Sequence, residues 1–325
     1  MPRAVIAEQF GPPDVYHLRN LPRRNLKHDQ VRVAIRAAGI SFVDVLTAQG
    51  SYQVKPPLPF CPGSEAAGII TEIGSGVTRG AVGDRVAVSG WSGMFAEEVV
   101  ISEQAVQTLP DSSDLAEMAV FPVSYATAWH ALVDRARLQS CETLLVLGAG
   151  GATGYAAVQI GKHLGARVIA SASTEAKRAL AAAAGADVVI DARAEDWRDQ
   201  IKAANSGKGV DAVFDPVGGD ATDPAFRTLG WGGRHLVIGF PGGIAALKTN
   251  LPLLKGASLV GVDIRQFGLF EPEKAAANRK TIFALAAQGV LRPPIARRYP
   301  LENFRDAMRE AAAGTSAGRI VLTME

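Results

Sequence analysis

The fold is decided by the stretch Leu144-Leu-Val-Leu-Gly-Ala-Gly-Gly-Ala-Thr-Gly-Tyr-Ala-Ala-Val-Gln-Ile160, in which an apolar run meets a glycine-rich turn and then a helical pattern. Within that pattern, Ala157, Ile160 and Leu164 recur at the spacing of one helix face. A strand, a tight turn and a helix N-terminus in this order favour a dinucleotide pyrophosphate, because unpaired N–H groups and the helix dipole attract anions. The alternative is a tight strand-to-helix turn that binds no ligand.

The glycine-rich loop follows the dinucleotide pattern with one exception. Ala149 stands where the first of three glycines is usual, and Gly151 and Gly154 are the second and third. The second glycine lets the backbone approach the phosphates, and the third lets the helix pack closely on the strand. We therefore expect the cofactor to contact six loop residues, namely Ala149, Gly150, Gly151, Ala152, Thr153 and Gly154.

The end of the second predicted strand indicates which dinucleotide is bound. NAD sites place an acidic residue there to hold the ribose 2′-OH, but the strand Arg167–Ser171 runs into Ala172. Ser173 can donate a hydrogen bond to a phosphate, and Lys177, one helical turn further on, supplies a positive charge. This pattern favours NADP(H). The alternative is that Ser173 caps a helix and Lys177 is a solvated helix residue.

The chain changes character near Phe121. Before it, short segments that alternate between apolar and polar residues, such as Val31–Ile35, predict a compact β-rich unit that resembles a barrel. From Thr143 on, strands alternate with helices, which predicts an α/β doubly wound parallel sheet with the cofactor at its topological switch point. Its six predicted strands are Thr143–Leu147, Arg167–Ser171, Asp187–Ile190, Asp211–Asp215, His235–Gly239 and Ser258–Val262.

The sequence pattern after about Gln266 predicts a helix at Ala275–Gln288, a second helix from Pro300 and a last strand at Gly318–Met324. We expect this tail to return and complete the first domain. The predicted division is therefore a discontinuous catalytic domain of residues 1–122 and 265–325 and an inserted nucleotide-binding domain of residues 123–264.

Composition limits the possible functions. The chain has 325 residues, 48% hydrophobic content and a mean hydropathy of +0.11, which fit a soluble two-domain protein. A net charge of +2 without a basic cluster argues against nucleic-acid binding. The two cysteines, Cys61 and Cys141, suggest neither a disulfide framework nor a four-ligand zinc lobe. With no signal core and no long apolar run, we expect a cytoplasmic protein without a membrane segment.

The order of the motifs resembles the medium-chain dehydrogenase/reductase superfamily, and within it the zinc-free quinone oxidoreductase branch. The resemblance covers nearly the whole chain through Tyr52–Gly68, Val82–Val86, Pro122–Leu132, Leu144–Gly165 and Gly318–Leu322. It implies a GroES-like barrel domain, an inserted Rossmann domain and a homodimer joined through the edges of the Rossmann sheets. By that likeness, and because an uncovered apolar edge is a liability in a monomer, the dimer edge consists of Ser258, Leu259, Val260, Gly261 and Val262.

The resemblance also bears on metal binding. Zinc-dependent relatives hold the catalytic ion with a Cys, a His and a further Cys, and these positions fall at Ser41, Ser64 and Val123. We therefore expect no metal site. The carboxylates that remain, Asp44 and Glu65, are interpreted as structural hydrogen-bonding groups rather than metal ligands.

Without a metal, the acceptor must take a hydride without Lewis-acid help, and quinones and α,β-unsaturated carbonyls do so because charge delocalises as they are reduced. By resemblance, Thr127, Val217, Gly239 and Phe240 line the cofactor, although Phe240 has ordinary packing as an alternative role. Some relatives carry Tyr at the position of Ala192, near the 2′-phosphate; here Arg193 can compensate, and Arg319 can reach the same region. Ser41, Asp44 and Tyr52 are placed around the acceptor.

The sequence leaves the reaction open between two main hypotheses. The first is an NADPH-dependent, zinc-independent quinone oxidoreductase, in which Tyr52 lines the pocket. The second is an enoyl or alkenal reductase in which Tyr52 donates the proton, as a general acid. A third hypothesis is an NADPH-binding sensor or nucleic-acid-associated protein with little turnover, and the near-neutral charge weighs against nucleic acid.

Overall fold

The computed structural model describes residues 1–324, and the chain divides into two compact units. The first unit comprises Met1–Val123 and Arg292–Glu325, and the second comprises Ser124–Leu291. The sequence predicted that the second unit ends at residue 264. In the structure this unit extends to Leu291 and includes the helices that follow residue 264. One reason is a buried contact inside that unit, in which the His130 ring stacks on Phe267 with their centroids 3.8 Å apart.

The regular elements follow one another in chain order. The strands are β1 Arg3–Ala7, β2 Tyr16–Asn20, β3 Gln30–Ile40, β4 Glu65–Ile73, β5 Arg85–Ser89, β6 Glu98–Ser102, β7 Val106–Thr108, β8 Thr143–Val146, β9 Arg167–Ala172, β10 Val188–Asp191, β11 Val210–Asp215, β12 Leu229–Val237, β13 Ser258–Gly261, β14 Ile295–Pro300 and β15 Arg319–Thr323. The helices are α1 Phe42–Ala48, α2 Leu115–Met118, α3 Pro122–Trp129, α4 Ala152–His163, α5 Glu175–Ala183, α6 Trp197–Ala204, α7 Thr222–Arg227, α8 Asn250–Lys255, α9 Ile264–Phe270, α10 Pro272–Ala287 and α11 Phe304–Ala313.

The first unit is built around a seven-stranded sheet in the order β14-β15-β3-β4-β5-β7, with β6 paired to β3. The long strand β3 is antiparallel to β4, β6 and β15, so the C-terminal strand does complete this unit. The inward side chains of these strands, such as Val33, Ile35 and Ile70, are fully buried in one core. The β-rich N-terminal unit predicted from the alternating segments is confirmed.

The second unit contains the six-stranded sheet, in the order β10-β9-β8-β11-β12-β13, and every pairing is parallel. The predicted doubly wound sheet is therefore confirmed. The strand order reverses between β8 and β11, which is where the carboxyl ends of the strands form a binding crevice in sheets of this kind.

One strand of this sheet is longer than predicted. β12 begins at Leu229 rather than at His235, and it contains Gly230, Gly232 and Gly233. Glycines interrupt the apolar pattern that marks a strand in the sequence. The neighbouring strand β11 nevertheless pairs with this stretch from Val210 on, with a register shift along the way.

Among residues 1–324, no helix combines the length and the apolar composition that a membrane crossing requires.

Candidate active site

The glycine-rich loop ends at a helix that has no side-chain cap. Gly151 is the N-cap residue of α4, so the first N–H groups of this 12-residue helix are left for an external anion. Gly148 has a φ of +55° and makes the turn that leaves β8. This left-handed residue precedes Ala149, and Ala149 is fully buried, with its N–H bonded to the Ser171 carbonyl at 3.0 Å.

Two glycines of the loop are required by close contacts. A Cβ atom on Gly154 would lie 2.3 Å from the Gly148 carbonyl oxygen, so only glycine lets α4 pack this closely on the strand end. This confirms the packing role predicted for Gly154. A Cβ atom on Gly150 would lie 2.5 Å from the Cβ of Lys177, a contact that the sequence did not predict.

The contact between Gly150 and Lys177 places a cation beside the glycine-rich loop. Burial of this half-buried side chain, and after it the positive charge of Arg193, lower the pKa of the Lys177 ammonium. Two cations close enough to repel each other beside an uncapped helix N-terminus are suited to a bound phosphate, which would relieve the repulsion.

The residues around this cation pair are ordered by local hydrogen bonds. Thr174, and not Ser173, is the N-cap of α5, since its hydroxyl accepts the Lys177 N–H at 3.3 Å. The helix-cap alternative for Ser173 is therefore wrong. Asp191, at the end of β10, accepts the Arg193 N–H at 2.9 Å and forms an ion pair with Arg178 at 2.8 Å.

A cavity of about 280 Å³ opens at the carboxyl ends of the strands of the second unit. Its lining includes Gly148 after β8, Ser171 in β9, Ala192 after β10 and Val217 after β11. The Trp197 side chain, at the start of α6, forms another wall. Sequence reasoning missed Trp197, although a tryptophan just beyond the end of the third parallel strand is a signal that could have found it.

The other predicted cofactor residues of this unit lie on two of its elements. Thr127 is a buried residue of α3. Gly239 and Phe240 follow β12, and Phe240 is 45% exposed. The Phe240 ring is therefore not packed in the core, and its contact with the cofactor stays a prediction.

In the first unit, Ser41 and Asp44 form a capping box at the start of α1. The Asp44 carboxylate accepts the Ser41 N–H at 2.8 Å and the Ser41 hydroxyl at 2.6 Å, and the Ser41 hydroxyl accepts the Asp44 N–H. Burial raises the pKa of Asp44 to about 6, against the hydrogen bonds from Ser41 and Ser64 and with a smaller contribution from the Glu65 charge.

Glu65 is also fully buried and has a guanidinium partner. Arg319 donates to Glu65 at 2.6 Å and to the Val120 carbonyl at 3.0 Å, and the Val123 N–H donates to Glu65 at 3.1 Å. Both carboxylates, Asp44 and Glu65, thus have the hydrogen-bonding roles that the sequence analysis gave them. The ion pair is a structural role for Arg319 that the sequence did not indicate, and its contact with a 2′-phosphate stays a prediction.

Tyr52 lies on the loop that follows α1, and its backbone is fixed there. The N–H groups of Ser51 and Tyr52 both donate to the Leu46 carbonyl, at 2.9 and 3.2 Å. The Tyr52 side chain is half-buried.

The structure also bears on metal binding. Within residues 1–324 it contains no group of three or more His, Cys, Asp or Glu side chains placed to hold a metal ion.

Comparison with known proteins identifies the family to which this chain belongs. The chain matches the alcohol dehydrogenase GroES-like domain over residues 27–111 and the zinc-binding dehydrogenase model over residues 152–278. It is 35% identical to mouse quinone oxidoreductase-like protein 2, over 99% of this chain and 92% of that protein. It is 31% identical to human quinone oxidoreductase, over 99% and 98% of the two chains.

The quinone oxidoreductase of Thermus thermophilus, solved alone and with NADPH, superposes with a TM-score of 0.85 at 28% identity, over 99% of this chain and 100% of that one. A GroES-like unit, a six-stranded parallel sheet and a glycine-rich loop together place the chain in the class of oxidoreductases that use a nicotinamide cofactor. The chain belongs to the medium-chain dehydrogenase/reductase superfamily, in its zinc-free quinone oxidoreductase branch, as the sequence predicted.

Proposed function

We propose that this protein is an NADPH-dependent reductase that transfers a hydride to a quinone without a metal. The observation that carries the proposal is the pair of cations, Lys177 and Arg193, beside the glycine-rich loop. At the end of β9, where an NAD site has its carboxylate, the residue is Ala172. A 2′-phosphate would meet two positive charges there, while the Asp191 carboxylate on the neighbouring strand β10 is paired with Arg178.

Different groups of residues bind different parts of the cofactor. The N–H groups of the glycine-rich loop bind the pyrophosphate, and the cavity beside Trp197 takes the adenosine half. Lys177, Arg193 and the Ser173 hydroxyl bind the 2′-phosphate. Thr127, Gly239 and Phe240 line the nicotinamide half, and Val217 contacts the cofactor from the wall of the cavity. When bound, NADPH supplies the hydride, and Ser41, Asp44 and Tyr52 orient the acceptor and exclude water from it.

The cation pair provides the test of cofactor choice. Each of Lys177→Ala and Arg193→Ala removes a charge-assisted contact to the 2′-phosphate and should raise the KM for NADPH roughly 10- to 100-fold, with the KM for NADH nearly unchanged. The measurement is steady-state oxidation of both dinucleotides with one quinone as acceptor.

Lys162→Ala is the matched control for this experiment. Lys162 lies in the last turn of α4, at the opposite end of that helix, and forms an ion pair with Asp187 at 2.8 Å. It should leave both KM values unchanged. Equal losses with NADPH and NADH in the Lys177 and Arg193 variants would contradict the proposed 2′-phosphate site.

The second candidate function is reduction of enones, with Tyr52 as the proton donor. The observation that favours it is the fixed backbone of Tyr52, which holds a half-buried phenol at a defined place after α1. If Tyr52 is the acid, Tyr52→Phe should lower enone reduction by about 10²–10⁴ and leave quinone reduction nearly intact. Equal and small effects on both acceptors would mean that Tyr52 only lines the pocket.

A further inference from the structure

Two loops at the carboxyl end of the parallel sheet meet beside the cavity of the second unit. One is the turn of residues 216–219 after β11, here called the β11 turn, and the other is the loop of residues 239–243 after β12, here called the β12 loop. Val217 of the β11 turn lines the cavity. The loops are in close contact, since a Cβ atom on Gly218 would lie 2.8 Å from the Phe240 Cα.

Backbone hydrogen bonds join the two loops. The Gly219 N–H donates to the Gly243 carbonyl at 2.7 Å, and the Gly242 N–H donates to the Val217 carbonyl at 2.8 Å. A displacement of the β11 turn must therefore break these bonds or carry the β12 loop with it.

The β11 turn is held by one buried carboxylate, that of Asp215 at the end of β11. Its Oδ1 atom accepts the N–H groups of Val217 and Gly218, both at 2.9 Å. Its Oδ2 atom accepts the Thr222 hydroxyl at 2.7 Å and Nε2 of His235 at 3.0 Å. One oxygen thus shapes the turn, while the other is fixed by side chains from α7 and β12.

The environment keeps this carboxylate ionised. Burial alone would raise the pKa of Asp215, but hydrogen bonds from His235, Gly218 and Thr222 outweigh burial and lower that pKa below its ordinary value. Because an ionised carboxylate can only accept, Nε2 of His235 carries the proton. Nδ1 of His235 is buried and has no hydrogen-bond partner within residues 1–324, so the bond to Asp215 is the polar contact that this ring makes there.

We propose that Asp215 is a positioning residue for the nicotinamide cofactor. Its carboxylate sets the β11 turn, and through that turn the β12 loop, in the conformation that receives the cofactor, and His235 and Thr222 hold the carboxylate in place. The inference rests on the proposed function, because it takes the ligand of these loops to be the dinucleotide.

Asp215→Asn is the direct test. The amide oxygen can still accept from the turn, but the amide nitrogen then faces the Thr222 hydroxyl and His235 Nε2, which donate to the carboxylate in the wild-type protein. To accept from the amide, the hydroxyl must rotate and His235 must move its proton to the buried Nδ1, which has no hydrogen-bond partner among the described residues. In the protein without cofactor, hydrogen–deuterium exchange at the amides of Val217 and Gly218 should become faster. The Kd for NADPH, followed by its fluorescence, should rise about tenfold or more. The KM for NADPH should rise in parallel, and the KM for the acceptor should not change.

Asp211→Asn is the matched control on the same strand. The Asp211 carboxylate also accepts a backbone N–H, that of Thr143 at 2.8 Å, but near the amino end of β11. This variant should lose stability without changing the Kd for NADPH or the exchange of the β11 turn.

Thr222→Val keeps the test decisive if Asp215→Asn does not fold. It leaves the carboxylate and removes one of its donors, and it should raise the Kd for NADPH about threefold. Wild-type Kd values in the folded Asp215 or Thr222 variants, or an equal rise in the Asp211 control, would overturn the positioning role. Absence of NADPH and NADH binding by the wild-type protein would instead overturn the proposed function, so the two failures are distinguishable.

Discussion

Asp44 is a carboxylic acid whose burial changes its proton affinity. With the carboxyl buried and its pKa raised from 3.8 to about 6, the folded protein binds a proton more tightly than the unfolded chain does. Stability from this group is therefore complete below about pH 4 and is lost as the pH rises through about 6.

Asp44→Asn should abolish that dependence. The amide oxygen can accept the same two bonds from Ser41, so the cap of α1 is retained. From pH 2 to pH 7 the stability of the variant relative to the wild type should increase by about 3 kcal/mol, which is the free-energy equivalent of the pKa shift. Urea unfolding at a series of pH values measures this, and parallel pH profiles for the two proteins would contradict the shift.

Single-residue roles were predictable where they depend on neighbours in the chain. The packing role of Gly154 follows from the loop pattern, and the structure gives its cause as contact with Gly148. The ion pair between Glu65 and Arg319 was not predictable, because its partners are 254 positions apart and neither belongs to a local motif. The bond between Asp215 and His235 was missed for a similar reason, since only the parallel pairing of β11 and β12 brings this ring beside the carboxylate.

At the scale of elements, the glycine-rich loop and α4 form one packed unit. Gly154→Ala forces a Cβ atom against the Gly148 carbonyl, so the helix must move away from the strand. We expect a loss of about 1–3 kcal/mol of stability together with weaker NADPH binding. Thermal unfolding and fluorescence titration measure the two effects.

Gly268→Ala is the control for that substitution. Gly268 lies in α9 with open space around its Cα, so alanine should stabilise the protein by up to about 1 kcal/mol through helix propensity. An unchanged melting temperature and NADPH affinity in Gly154→Ala would show that the loop tolerates a side chain and is looser than the structure indicates.

Element types were predicted well because apolar periodicity follows secondary structure directly. Boundaries were predicted less well where glycine or a hydroxyl residue decides them. The start of β12 was placed late because its glycines resemble a turn, and tertiary pairing with β11 overrides them. Ser173 was considered as a cap, but the geometry of the turn gives that role to Thr174.

At the scale of the whole molecule, the parallel sheet ends in an uncovered edge. β13 is the last strand of the sheet, and its Leu259 is 49% exposed. Other exposed apolar side chains, including Trp231, Leu253 and Leu254, belong to the nearby elements β12 and α8. We propose that a second copy of the chain covers this edge and forms the homodimer predicted from the sequence.

Leu259→Lys should then convert the dimer to a monomer, because a charge replaces an apolar contact at the edge. Val82→Lys is the control, since Val82 is 61% exposed but lies in the first unit, before β5. Analytical ultracentrifugation measures both variants. A monomeric wild type, or an unchanged dimer in Leu259→Lys, would contradict an interface at β13.

Steady-state oxidation of NADPH and NADH by the chelator-treated protein, with a 1,4-quinone and a 2-enone offered in parallel, distinguishes the proposed reaction from its alternatives. We expect quinone reduction with a clear preference for NADPH that persists in the presence of the chelator. Turnover of the enone alone would contradict the quinone reductase and move the reaction to double-bond reduction. Tight NADPH binding without turnover of either acceptor would contradict an enzymatic role and favour a sensor.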